Sequence, residues 1–264
     1  MDVEIEFEKS LEKNAASYYE KAKASRKKLI GLERAMAGMN GKFSSVKEPV
    51  GKKRLARKRT RRWFESFHWF RSSDGFLVIG GRDAKSNETI VKRHLDDEDV
   101  FLHADIPGAA SCVIKAEGRK ISEAALGEAA EFSAVRSKAW QQKLSSVDVY
   151  AVSREQVSKS APSGEALATG AFMIYGKRQW FRKTPLRFSV GLLGEDGSFL
   201  VMAGPPTAVR KNCLVSFEIV RGNSKRSDVA KSLLKKFEEK GGKGAVLLDD
   251  ILAVLPGEKL AIKE

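Results

Sequence analysis

Small and apolar residues spaced alternately four and three apart mark the start of this chain. Leu11, Ala15, Tyr18, Ala22, Ser25, Leu29, Leu32 and Met36 fall on one line of an α-helix over 8–37, and so narrow a seam needs a second helix to cover it. Gly38, Gly41, Ser44 and Ser45 interrupt the pattern, and Pro49 can open a new helix. Ala56, Thr60, Trp63, Phe67 and Phe70 repeat the spacing over 50–70. The two seams fit each other within one chain, so residues 1–70 are expected to form an antiparallel α-helical coiled-coil hairpin. Pairing between chains would satisfy the same spacing.

From residue 71 onward short apolar runs alternate with helical stretches. Strands are expected at 76–79, 100–102, 111–114 and 148–153, and helices at 84–95 and 122–144, the first with Asp83 as its N-cap. Four more strand candidates follow at 172–181, 186–193, 199–202 and 214–220, then helices at 227–240 and 248–255. The fold class is α+β: a mixed or antiparallel β-sheet body with packed helices over 71–264, preceded by the hairpin.

Charge narrows the function. The formal net charge is +14, of which +10 falls within residues 1–62. A basic appendage on a near-neutral body points to a polyanionic partner, most often nucleic acid. Arg54, Arg57, Lys58, Arg61 and Arg62 form one stripe if the second arm is helical. Like charges at that spacing repel, and a phosphate backbone relieves the repulsion. No run approaches the ~18 apolar residues of a membrane span, no signal peptide follows Met1, and two cysteines are too few for a secreted disulfide framework. A soluble cytoplasmic protein is the expectation.

Candidate chemistry is sparse. The aromatic run Trp63–Phe70 could stack on bases, but its shared seam favours packing onto the body. Gly80-Gly81-Arg82-Asp83 lies at a strand-to-helix junction, where free N–H groups can meet a phosphate, although a capping Asp83 competes with an anion. His103 and Asp105 are two residues apart at a strand end and could face one side. Together with Asp83 they allow a metal-dependent nuclease or nucleotide hydrolase as the alternative function, although the ligand set is incomplete. No catalytic residue, cofactor or metal is assigned.

In order, these segments carry a longer pattern. Trp63-Phe64-Glu65 with Phe67, Trp69 and Phe70 precedes Gly80-Gly81-Arg82-Asp83-Ala84, Asn87-Glu88 and Val91-Lys92-Arg93. His103-Ala104-Asp105, Gln156-Val157-Ser158-Lys159 and Thr169-Gly170 follow, then Phe172-Met173-Ile174 and Gly176-Lys177. The pattern resembles the NFACT-R domain of the NEMF/RqcH family, historically also called fibronectin-binding A proteins. Ser10-Leu11, Asn14-Ala15 and Tyr18-Tyr19 resemble the start of that family's middle coiled coil. The resemblance covers most of residues 3–204. Three departures accompany it: the usual NFACT-N domain and helix-hairpin-helix segment are not in this sequence, the coiled coil is shorter, and Pro107-Gly108 stands where the family often has His-Gly.

The resemblance implies a non-enzymatic RNA-binding module of a ribosome-associated quality control factor. Such factors bind large ribosomal subunits obstructed by peptidyl-tRNA and support alanine-type tailing of the stalled chain. Expected partners are tRNA or rRNA, that subunit, and ribosomal stalk-base proteins through the coiled coil. Arg82, Lys92, His103, Lys159 and Lys177 are expected to share one RNA-facing concavity beside the hairpin base. The opposing expectation is that Arg82 and Lys92 are locked to carboxylates and bind nothing. An extracellular adhesin, suggested by the older family name, fits poorly without a signal peptide.

Overall fold

A computed structural model of the chain describes residues 10–43, 61–160, 167–195, 198–242, 244 and 246–263. It divides into two units, Met1–Lys53 and Arg54–Glu264. The described residues of the first form a helix, α1 (Leu11–Phe43). The helix outlasts the expected end at residue 37 and carries Gly38 and Gly41 within it. A glycine in a helix interior costs only about 1 kcal/mol against alanine, which slows but does not forbid propagation. On its seam, Leu11 and Leu29 are 76% and 57% exposed. Most of the second hairpin arm, including Arg54, Arg57 and Lys58, lies outside the described residues.

The end of that arm departs from expectation. Arg62 is extended, Trp63–Ser66 is a single 3-10 turn, and His68–Arg71 is a strand rather than helix. The reason is burial on two sides. Phe70 meets Phe132 with ring centroids 4.9 Å apart, while its neighbour Trp69 meets Phe64 at 4.8 Å. Only an extended backbone sends adjacent side chains to opposite faces. The four–three spacing of these aromatics therefore comes from a core between layers, not from a helical seam.

The second unit contains, in chain order, β1 (His68–Arg71), β2 (Leu77–Gly80), α2 (Ala84–Arg93), β3 (Val100–Ala104), β4 (Cys112–Ile114), α3 (Glu123–Val135) and β5 (Ser146–Ser153). There follow β6 (Val157–Ser158), β7 (Met173–Ile174), β8 (Gln179–Pro185), β9 (Ser189–Glu195), β10 (Ser198–Gly204) and α4 (Pro206–Asn212), then β11 (Val215–Lys225), α5 (Arg226–Phe237), α6 (Leu248–Val254) and β12 (Lys259–Ile262). The strands form an antiparallel sheet ordered β1-β2-β4-β3-β5-β8, a second ordered β10-β9-β11-β12, and the small ribbon β6-β7. The class is α+β, with antiparallel sheets and packed helices.

Local chemistry explains where elements stop. Ser122 caps α3 by accepting from Ala125 N at 3.0 Å. The helix ends at Val135, short of the expected 144, where Ser137 Oγ donates to Ala134 O at 2.6 Å and accepts from Ala139 N at 3.1 Å. A serine offering the backbone such partners competes with helix propagation. The run 172–181 is two strands, not one, because Gly176 turns the chain at φ +73. Gln156 Nε2 holds that turn by donating to Tyr175 O at 2.8 Å and Lys177 O at 2.9 Å. Helix α4 and strand β12 had no sequence expectation.

One buried ion pair fixes the connection from α2 to the sheet. Lys115 Nζ donates to Asp99 Oδ2, to Asp96 Oδ2 at 2.7 Å and to His94 O at 2.9 Å. Asp99 accepts in addition from Asp96 N and Ala116 N, both at 2.8 Å. The Asp99 side chain is 2% exposed, so an unpaired charge there has no solvent to turn to. We expect Lys115→Ala to lower unfolding free energy by roughly 3–5 kcal/mol in urea titrations, and Lys115→Met with Asp99→Leu to recover much of the loss.

Candidate nucleic-acid interface

A cleft of about 440 Å3 opens where the start of α2, the end of β3 and the loop before β7 converge. Its position follows from strand alternation. Gly80 lies against Phe132 of α3 and pairs with Cys112, and Cys112 pairs with Leu102 on that face. Phe101 and His103 therefore point to the opposite face. There they line the cleft with Tyr150 and Phe172.

Two glycines permit the close approaches that build the rim. Gly81 N donates to Ser111 O at 3.1 Å, and Ser111 N donates to Asn87 Oδ1 at 2.9 Å. A Cβ on Gly81 would stand 1.8 Å from that Asn87 oxygen. Gly170, at φ +78, lies against the first turn of α2, where a Cβ would be 2.6 Å from Ala84 O. No side chain fits either position without displacing the loop it holds.

Glu88 ties these parts together. Its Oε2 accepts from Gly170 N at 3.0 Å and Lys159 Nζ at 3.3 Å, and its Oε1 pairs with Lys92 Nζ at 2.7 Å. Hydrogen bonds from Lys92, Gly170 N and Lys159 bring its pKa down from 4.5 to about 2. Lys159 also donates to Ala168 O at 2.9 Å and Ala171 O at 3.3 Å. Lys92 and Lys159 thus have a structural task, although Lys92 remains 57% exposed.

The other candidate residues divide in the same way. Arg82 lines the cleft while Nη2 donates to Glu65 O at 3.2 Å and Phe67 O at 3.1 Å. Burial lowers its pKa, with the Arg61 charge adding to the effect. Arg82 is tied to backbone carbonyls, and Lys92 to Glu88 rather than to Asp83 or Asp105. His103 faces the cleft, and burial lowers its pKa, which favours neutral imidazole. Lys177 is exposed on the turn held by Gln156. Arg62 Nη1 pairs with Glu195 at 2.6 Å, and Arg61 lies 3.8 Å from Asp250. Neither belongs to a helical stripe, because Arg62 is extended.

The nuclease constellation does not assemble. Asp83 caps α2, its Oδ1 accepting from Ser86 N at 2.7 Å and Ser86 Oγ at 2.8 Å. The Ser86 N–H is the main cause of its lowered pKa. Among the described residues no group of three His, Cys, Asp or Glu side chains could hold a metal ion. The aromatic run is mostly core: Phe64, Phe67, Trp69 and Phe70 are buried, and Trp63 stacks on His94 at 4.4 Å.

Sequence reasoning passed over Arg136. It lines the cleft, lies over the rings of Phe132 and Phe188 at 5.4 and 5.0 Å, and its Nε lacks a hydrogen-bond partner. Burial pushes its pKa down to about 9, and the cationic neighbours Arg82 and Arg226 push the same way. Nothing in the local sequence distinguished it from a helix-terminal arginine.

A cleft rimmed by cations, floored by rings and approached by glycine backbone offers groups that can meet phosphates and bases, and residues 66–176 match the family described as NFACT protein RNA binding domain. The chain is also similar to proteins named for ribosome quality control. It is 40% identical over 199 residues to the archaeal Rqc2 homolog aRqcH of Methanocaldococcus jannaschii, covering 75% of this chain and 29% of that protein. It is 38% identical over 197 residues to the ribosome quality control complex subunit NEMF homolog of Drosophila melanogaster, covering 72% and 20%. Against the human subunit NEMF, identity is 39% over 186 residues, covering 68% and 17%. The chain thus spans less than a third of the length of these relatives.

Because its pKa is depressed on folding, Glu88 contributes stability that is complete above pH 4.5 and lost as pH falls through about 2. Carbon-detected NMR titration should place the Glu88 carboxyl midpoint near 2. Lys92→Ala or Lys159→Ala should each move that midpoint upward, and Lys159→Ala should also speed amide exchange at Gly170.

Proposed function

We propose that this chain is the RNA- and ribosome-facing part of a ribosome-associated quality control factor, without catalytic activity of its own. In this reading it binds large ribosomal subunits obstructed by peptidyl-tRNA and supports alanine-type tailing of the stalled chain, with peptide transfer left to the ribosome. The observation that carries the reading is the cation-rimmed, ring-lined cleft inside a segment matching an RNA-binding domain. The names of its relatives as ribosome quality control subunits support the cellular setting. Among the described residues no helix is long and apolar enough to cross a membrane.

Within this reading Arg82, Lys92, His103, Lys159 and Lys177 meet tRNA or rRNA from one side. Arg54, Arg57, Lys58, Arg61 and Arg62 add a sequence-independent electrostatic contact. The long α1 is the element available for ribosomal stalk-base proteins. Arg61 and Arg62 already face Asp250 and Glu195, so the larger share of that contact falls to Arg54, Arg57 and Lys58.

Sedimentation with large subunits carrying peptidyl-tRNA, and with empty ones, is the direct test. Preferential co-migration with the obstructed subunits is expected, and equal or absent co-migration would reject the ribosomal role. For the electrostatic contact, alanine at all five positions from Arg54 to Arg62 should weaken binding to unrelated RNAs alike. The salt dependence should flatten by about 0.7 log unit per lost phosphate contact on single strands. An unaltered slope would remove these residues from the interface.

A further inference from the structure

Strand β8 is one edge of the larger sheet, and cations and a ring alternate along its start and the residue before it. Trp180 and Arg182 lie two residues apart in β8, Arg178 immediately precedes the strand, and contacts to the same rings bring all three together. The Arg182 guanidinium lies 4.0 Å from the Trp180 ring centroid. That of Arg178 lies 5.8 Å from Trp180 and 4.6 Å from the Tyr150 ring. Trp180 is the cross-strand partner of Tyr150, and Tyr150 of His103. Ring centroids along this row are 5.6 and 5.8 Å apart. The row therefore crosses three strands from the sheet edge, and its inner members, Tyr150 and His103, line the cleft.

The electrostatics of the row are one-sided. From Ala166 to Gly194 the chain has five Lys or Arg and no Asp or Glu. Asp148 engages Arg182 at 2.7 Å, whereas Arg178 has no ion-pair partner among the described residues. A guanidinium held near two rings also presents a plane of its own, and such planes accept nucleobases as aromatic rings do. A duplex cannot use them, since its bases are already stacked on each other. Unstacked bases can, with their phosphates drawn to the flanking cations.

We propose that the Arg178–Trp180–Arg182 edge, continued by Tyr150 and His103, is a stacking track for single-stranded RNA that leads a strand end into the cleft. The proposal rests on the RNA-binding reading and specifies the form of RNA taken by this face. It assigns recognition to ring faces, so discrimination should depend on the presence of bases and little on their order.

Three short ligands separate the possibilities: a single-stranded RNA, the same strand with abasic sites, and a blunt duplex with the same number of phosphates. Fluorescence titration should show the intact single strand binding about tenfold or more tightly than the abasic strand, since a stacked base contributes on the order of a tenfold effect. It should also quench a component of the emission that Trp180→Phe removes. Trp180→Ala should weaken the single strand about tenfold and Trp180→Phe should restore most of it. Arg178→Lys keeps the charge and loses the plane without removing a large ring, so it should weaken the single strand more than the duplex even if Trp180→Ala fails to fold. Equal affinity for intact and abasic strands, with Arg178→Lys unchanged, would overturn the track while leaving RNA binding through phosphates intact. Failure to bind any of the three would instead remove the RNA-binding reading on which the track rests.

Discussion

One carboxylate organises the candidate interface. Glu88 stands on the middle of α2 and gathers Lys92, Lys159 and the Gly170 amide, groups from three parts of the chain. With it, the loop before β7 lies close enough to α2 to form a wall of the cleft. Without it, two lysines would face each other with nothing between them, and the Gly170 N–H would lose its acceptor. The glycines serve the same contact. Gly170 tolerates the first turn of α2 at backbone distance, and Gly81 leaves room for Asn87 to hold Ser111. The order of charges and glycines along this stretch thus forms one mechanical joint, and the surface proposed to face RNA is its outer skin.

That joint changes how the cations should be valued. Lys92, Lys159 and Arg82 are held by a carboxylate or by carbonyls, which orients them and costs part of their field. A side chain already ordered loses less entropy on binding than a free one. Arg136 and His68 differ: both are desolvated, and both have cationic neighbours, Arg82 and Arg226. Burial disfavours the protonated form of each, and neighbouring positive charge deepens the effect. His68 responds by staying neutral. Arg136 remains charged at neutral pH, cushioned by the faces of Phe132 and Phe188.

The two sheets meet through aromatic residues that also misled a purely periodic reading. Trp63, Phe67 and Phe70 match a helical seam in spacing, yet Phe70 sits in a strand with Gly204 pressed against its ring. A run rich in aromatics satisfies several periods at once, and packing on two sides selected the extended one. Ser137 and Gly176 shortened α3 and divided the 172–181 run for local reasons, a side-chain competitor for backbone bonds and a positive φ. Both residues are visible in the sequence, but each also occurs harmlessly inside longer elements.

The sequence by itself determined the α+β class, the Asp83 cap, most strand positions between 76 and 153, and the motif residues that surround the cleft. These are legible because alternation, capping and glycine turns act over a few residues. Tertiary structure decided what the motif residues touch. The Glu88 contacts span up to 82 positions, and the His103–Tyr150–Trp180 row joins three strands across the sheet. Such contacts depend on strand order and register, which no local pattern encodes. For the same reason Arg136 and Trp180 carry no sequence mark, and their surroundings exist only once two layers have closed on each other.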